Sequence, residues 1–171
     1  MPKGARKKGV DMTNKTEETK ERGLITQDDS IFESSNKEMF CTMNLEEKEN
    51  MVALYNSLQE CDVKLADIKG TTIEVVDVFV EKKETPVRDE KTDEVVVDEE
   101  TGEVKTKTRF RTILFGTDGK TYVSAAYGVY NSLRQIIPIF GNPSKINPIK
   151  VKVGTRKLRS GKESLILTVV K

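Results

Sequence analysis

Between residues 104 and 115 every second side chain changes character. Lys105, Lys107, Arg109 and Arg111 hold the odd positions; Val104, Thr106, Thr108, Phe110, Thr112 and Leu114 hold the even ones. A period of two belongs to a β-strand, because successive side chains of an extended chain point to opposite faces. Just beyond it, Asp118-Gly119 is the dipeptide that tight hairpin turns favour, and residues 120 to 124 read as the returning strand. A two-residue loop there would set Phe115 opposite Tyr122, Leu114 opposite Val123 and Ile113 opposite Ser124. Phe115 and Tyr122 would then share the face of Arg109 and Arg111, leaving Leu114 and Val123 toward the core.

The flanking segments extend this into a mainly β domain over residues 69 to 171. Upstream, IEVVDVFVE is dense in β-branched residues, with one irregular step at Val75-Val76. Downstream, Val129, Leu133, Ile136 and Ile137 recur at helical spacing over residues 125 to 137, with Ser124 as cap and Pro138 as terminator. IKVKV and SLILTVV follow as two more strands, joined by GTRKLRSGKE with a turn at Ser160-Gly161. The order β-β-β-α-β-β is the layout of an OB-fold. That fold is a five-stranded, partly open barrel whose second and third strands bind oligonucleotides or oligosaccharides.

Three other regions surround this barrel. Residues 1 to 36 are too polar to offset the entropy of ordering and are expected to form a disordered arm. Residues 37 to 68 form a helical extension: Asn44 and Glu47 make a capping box ahead of a helix at 45 to 59. Its face of Leu45, Val52, Tyr55 and Leu58, with Met51 and Leu54 beside it, is expected to pack on the domain. Residues 85 to 103 form an acidic insertion whose Thr101-Gly102 turn sits between two runs able to pair as a small hairpin.

Composition then excludes several chemistries. The chain has no histidine, which removes Ser-His-Asp and Cys-His nucleophile pairs and imidazole metal ligands. Cys41 and Cys61 are too few for a disulfide framework and lack CxxC spacing, which suits a reducing cytoplasm. The acidic insertion, with Asp89, Glu90, Asp93, Glu94, Asp98, Glu99, Glu100 and Glu103, does not match the twelve-residue calcium loop and reads as a solvated run. Walker-type glycine loops, membrane-span-length apolar runs and a secretory signal are missing, so the expected protein is a cytoplasmic non-enzyme without cofactor.

A net charge of +1 conceals a division along the chain. Residues 37 to 103 carry eight basic and nineteen acidic side chains, whereas residues 104 to 171 carry fourteen basic and two acidic, a net of +12. Such a half-chain suits a polyanion, since cations set against phosphates release condensed counterions. Its candidate contacts are Lys105, Lys107, Arg109, Arg111, Lys150, Lys152, Arg156, Lys157, Arg159 and Lys162, with Phe115 and Tyr122 as rings on which bases stack. The same rings, as a cross-strand pair, would also stabilise the hairpin, and edge lysines also block sheet-to-sheet pairing. The acidic insertion is expected to fold over the cationic face when nucleic acid is absent.

The segment RTILFGTDGKTYVSAAYGVYNSLRQIIPIFGNP, together with LYNSL, KLADIKGTTIEVVDV and the final basic hairpin, resembles single-stranded DNA-binding proteins of tailed bacteriophages. The resemblance spans about residues 54 to 171. It implies an OB-like fold that coats single-stranded DNA during replication without sequence preference, cofactor or chemistry. Self-association and contact with replication proteins are further expectations of that role. The competing reading is a protein-interaction or virion-associated OB-like module that does not bind nucleic acid.

Overall fold

In a computed structural model, residues 38–171 are described, so the arm expected over residues 1 to 36 lies outside them. The order is β1 (Met39–Cys41), α1 (Lys48–Gln59), β2 (Val63–Lys64), a 3-10 turn (Leu65–Ile68), β3 (Thr72–Pro86), β4 (Thr106–Gly116), β5 (Thr121–Ser124), α2 (Tyr127–Phe140), β6 (Ile149–Lys157) and β7 (Glu163–Val169). The strands make one curled, open sheet in the order β2-β5-β4-β3-β6-β7, with β1 paired to β3. Among the described residues it therefore has seven strands where five were expected. The additions, β1 and β2, are three and two residues long, too short for periodicity to reveal.

The irregular step at Val75-Val76 is a register shift on β3 against β4, between Val75 and Asp77. It lets β3 bend and serve three partners, pairing Thr72 to Val75 with β6, Phe79 to Glu81 with β1 and Asp77 to Pro86 with β4. Across the bulge both faces of the sheet are buried. The inner face holds Val78, Val80, Phe110, Leu114, Tyr122 and Val151 under Val129, Tyr130 and Leu133 of α2. The outer face holds Val76, Phe79, Ile113 and Phe115 beneath Met43, Leu54 and Leu58.

Helix α1 begins at Lys48, later than the capping box implied. The Asn44 carboxamide oxygen accepts the N–H of Glu46 at 3.1 Å, a local turn of the kind Asn favours over a helix. The buried stripe also differs from the expected one. Leu54, Ser57 and Leu58 face the sheet, while Leu45, Met51, Val52 and Tyr55 stand exposed.

Helix α2 runs through Pro138 to Phe140 and stops at Gly141, whose φ of 80° and N–H bonded to the carbonyl of Ile137 close the last turn. It seals the edge of β7. The Ser132 hydroxyl accepts the Leu167 N–H at 3.0 Å and donates to the Gly128 carbonyl at 2.8 Å. At Gly128 a side chain would strike the Leu165 carbonyl oxygen, so only glycine lets the helix lie this close.

The insertion is a tandem duplication of nine residues. VRDEKTDEV at 87 to 95 and VVDEETGEV at 96 to 104 fold alike. Asp89 Oδ1 accepts the N–H groups of Lys91 and Thr92, and Asp98 Oδ1 those of Glu100 and Thr101. Thr92 and Thr101 accept the N–H groups of Glu94 and Glu103, and Asp93 and Gly102 take the left-handed conformation. Backbone bonds Val87 to Lys105, Val96 to Val87 and Lys105 to Val96 tie the two turns together at the end of the β3–β4 ribbon. The single hairpin expected here is therefore a pair of turns. Bonded to itself, and with Arg88 paired to its own Asp93 at 3.6 Å, the segment forms a separate tip on the ribbon.

Candidate nucleic-acid interface

The odd positions of β4 carry their cations as the alternation requires, but the strand divides at Arg111. Lys105, Lys107 and Arg109 are exposed along the ribbon, opposite Thr85 and Lys83 of β3 in the case of Lys107 and Arg109. Arg109 and Lys83 are like charges set directly across from one another, an arrangement that destabilises a sheet unless an anion lies nearby. Glu81 partly meets that need, at 3.4 Å from Lys83. Arg111 has a structural task. Its Nη2 and Nε reach Glu81 Oε2 at 2.6 and 3.0 Å, and its Nη1 donates to the Leu58 carbonyl at 3.3 Å, fastening the C-terminal end of α1 to the sheet.

The expected ring pair does not form. The β4–β5 loop is Thr117-Asp118-Gly119, three residues, closed by Gly116 N–H to Lys120 O and by Gly119 at φ 79°. Such loops place a left-handed glycine last and shift the register by one relative to a two-residue turn. Leu114 therefore faces Tyr122, Phe115 faces Thr121, Ile113 faces Val123 and Thr112 faces Ser124. Phe115 joins the outer core and Tyr122 the inner, on opposite sides of the sheet and 8% and 6% exposed. The Tyr122 hydroxyl donates to Asp118 Oδ2 at 2.6 Å. Burial, and then the neighbouring carboxylate, push its pKa up to about 12.

On β6 the alternation holds, with Lys150 and Lys152 exposed between buried Ile149, Val151 and Val153. Arg156, Lys157, Arg159 and Lys162 are exposed along the hairpin to β7. That hairpin repeats the three-residue loop, with Leu158 N–H to Lys162 O and Gly161 at φ 83°.

The first turn of α2 touches both β4 and β7. Tyr130 stacks on Phe110 of β4, centroids 3.8 Å apart and planes 5° from parallel, and Tyr127 leans on both rings at 5.9 and 5.7 Å. One residue on, Gly128 rests on Leu165 of β7, next to Ser164, the cross-strand partner of Arg156. Tyr127 is 56% exposed, so a solvent-facing ring rests on a rigid aromatic base at Phe110, on the even-numbered face of β4 that Lys105, Lys107 and Arg109 do not share. Alternation along β4 points to the odd-numbered face. Tyr127 and Tyr130, three apart at a helix start, and Phe110 on the even face were the signal for this cluster.

Among the described residues no group of His, Cys, Asp and Glu is arranged to hold a metal, and no helix is long and apolar enough to cross a membrane. A family model described as phage single-stranded DNA-binding protein matches residues 33–170. No curated protein and no solved structure matches the chain.

Proposed function

Because the chain belongs to the phage single-stranded DNA-binding protein family, we propose that it coats single-stranded DNA without sequence preference during phage replication or recombination. The setting is the cytoplasm of the infected host. We read the curled sheet as an OB-like half-barrel in which the β3–β4 ribbon and the β6–β7 hairpin flank the strand. Lys105, Lys107 and Arg109 track phosphates on one side, and Arg156, Lys157, Arg159 and Lys162 on the other. Lys150 and Lys152 extend the track along β6. Tyr127 supplies the stacking surface, a contact that tolerates any base because every base has a π-face.

The observation that carries this reading is the exposed Tyr127, seated on Phe110 and Tyr130 where the first turn of α2 meets β4 and β7. The face-to-face placement of Arg109 and Lys83 adds to it, since a bound phosphate relieves their repulsion. Phe115 and Tyr122 are omitted as contacts because both are buried. Arg111 is omitted because its guanidinium is committed to Glu81 and Leu58.

Fluorescence anisotropy with labelled oligo-dT, a duplex and an RNA of equal length, at several salt concentrations, tests the reading. Binding should favour oligo-dT, with a log-log salt slope of roughly −3 to −5 for four to seven phosphate contacts. A slope near zero, or equal affinity for the duplex, would refute it.

A further inference from the structure

We propose that Phe32, in the segment 28–33 ahead of β1, occupies the Tyr127 face of its own chain in the absence of DNA and is displaced when a base stacks there. The point at which the chain enters the fold carries this inference. The Lys82 N–H donates to the Glu38 carbonyl at 2.8 Å, so residue 38 lies alongside β3 at Lys82. Register sets Lys82 directly opposite Phe110, and the two share the inner face of the sheet. Phe110 is the ring on which Tyr130 stacks and against which Tyr127 leans at 5.9 Å. Phe32 precedes Glu38 by six residues, a reach of up to about 20 Å for an extended chain. Cross-strand neighbours are about 5 Å apart, so Phe110 and the Tyr127 ring against it lie within that span.

The segment has the chemistry of the ligand it would replace. Phe32 is the one aromatic residue among positions 1 to 37, and it stands between Asp28, Asp29 and Glu33. A ring among carboxylates offers a π-face beside negative charge, as a single-stranded nucleotide does. On the receiving side Tyr127 is largely exposed while Phe110 and Tyr130 beneath it are buried, so the surface is open to one more ring. Lys82 faces the cluster from β3, and Arg134, four residues after Tyr130, lies along the same edge of α2. Glu84 shares the face of Lys82 and Glu38 lies beside it, so two carboxylates balance the two cations, and the ring rather than net charge selects the occupant. A tether this short gives Phe32 an effective concentration on the order of millimolar. The contact shields the stacking surface until a strand that also engages the basic elements replaces it.

Displacement by DNA rests on the coating reading, whereas the contact itself does not, and one variant separates them. The chain has no tryptophan, so Phe32→Trp places a single such fluorophore in the full-length protein. Without DNA its emission should be blue-shifted, as for a ring shielded from water, and should not change on dilution. Adding Tyr127→Ala, or titrating oligo-dT, should shift the emission to the red. In a companion anisotropy titration Phe32→Ala should bind oligo-dT about threefold to tenfold more tightly than wild type, because no part of the population is closed to DNA, and Phe32→Tyr should match wild type. Red emission in the free protein, or blue emission indifferent to Tyr127→Ala, would overturn the contact. Blue emission lost on dilution would overturn it too, by assigning the ring to another copy. If oligo-dT leaves both emission and anisotropy unchanged, the coating reading fails, while a red shift with Tyr127→Ala still upholds the contact. If oligo-dT binds and the emission stays blue, the ring and DNA do not compete, and displacement is overturned.

Discussion

The two halves of β4 share one alternating pattern and meet different fates. From Thr106 to Arg109 the strand is exposed on both faces, part of a two-stranded ribbon with Lys107 and Arg109 projecting from it. From Phe110 to Gly116 it is the middle of the sheet, with α2 over the inner face and α1 over the outer, and only Arg111 is less than fully buried. Alternation states which side chains share a face. It does not state what covers that face, and here the cover changes within one strand, turning the odd positions from a cationic ladder into a hydrophobic core.

The sharpest way to break this comparison is Phe115→Ala. If the outer face is core, the substitution should cost about 3–5 kcal/mol of stability, read from the urea midpoint, while the folded fraction keeps its oligo-dT affinity. Loss of DNA affinity with little loss of stability would return Phe115 to the binding surface. Tyr127→Ala should behave in the opposite sense, weakening oligo-dT binding by about 1–3 kcal/mol and lowering stability far less. In anisotropy titrations Tyr127→Phe should recover most of that affinity, since the ring is retained.

Smaller effects sharpen the boundary at Arg111. Replacing Lys107 and Arg109 together by alanine should make the salt slope shallower by about 1.4, at roughly 0.7 per phosphate contact, without loss of stability. Relief of the Arg109–Lys83 repulsion should raise the melting temperature slightly. The smallest effect expected is that of Tyr122→Phe, about 1 kcal/mol from the lost bond to Asp118. Because folding raises the Tyr122 pKa from 10.0 to about 12, its contribution is complete below pH 10 and fades as pH rises through 12. In an alkaline absorbance titration Tyr122 should therefore ionise late, and Tyr122→Phe should reduce the late-titrating amplitude by one tyrosine.

Much of the central sheet was legible because long strands announce themselves. The run from Thr72, the irregular step at Val75-Val76, the β4 alternation and both glycine turns follow directly from β-branched density and left-handed glycine. What escaped depended on one-residue details or on distant partners. Asp118-Gly119 fits both a two-residue and a three-residue loop, and the difference moved Phe115 and Tyr122 to opposite sides of the sheet. The exposed stripe of Met51, Val52 and Tyr55 on α1 is as apolar as the buried one, so composition could not choose between them. The cations of β6 and its hairpin fell where expected, whereas Tyr127 acquires its place only because α2 folds back over Phe110 and β7.

The most direct test of the proposed DNA path is photo-cross-linking of oligo-dT carrying 5-iododeoxyuridine, with the attached residue mapped by mass spectrometry. The expected result is attachment at Tyr127, competed by unlabelled oligo-dT and absent in Tyr127→Ala. Attachment at Tyr55 on α1, or undiminished attachment in Tyr127→Ala, would contradict a DNA path between the ribbon and the basic hairpin.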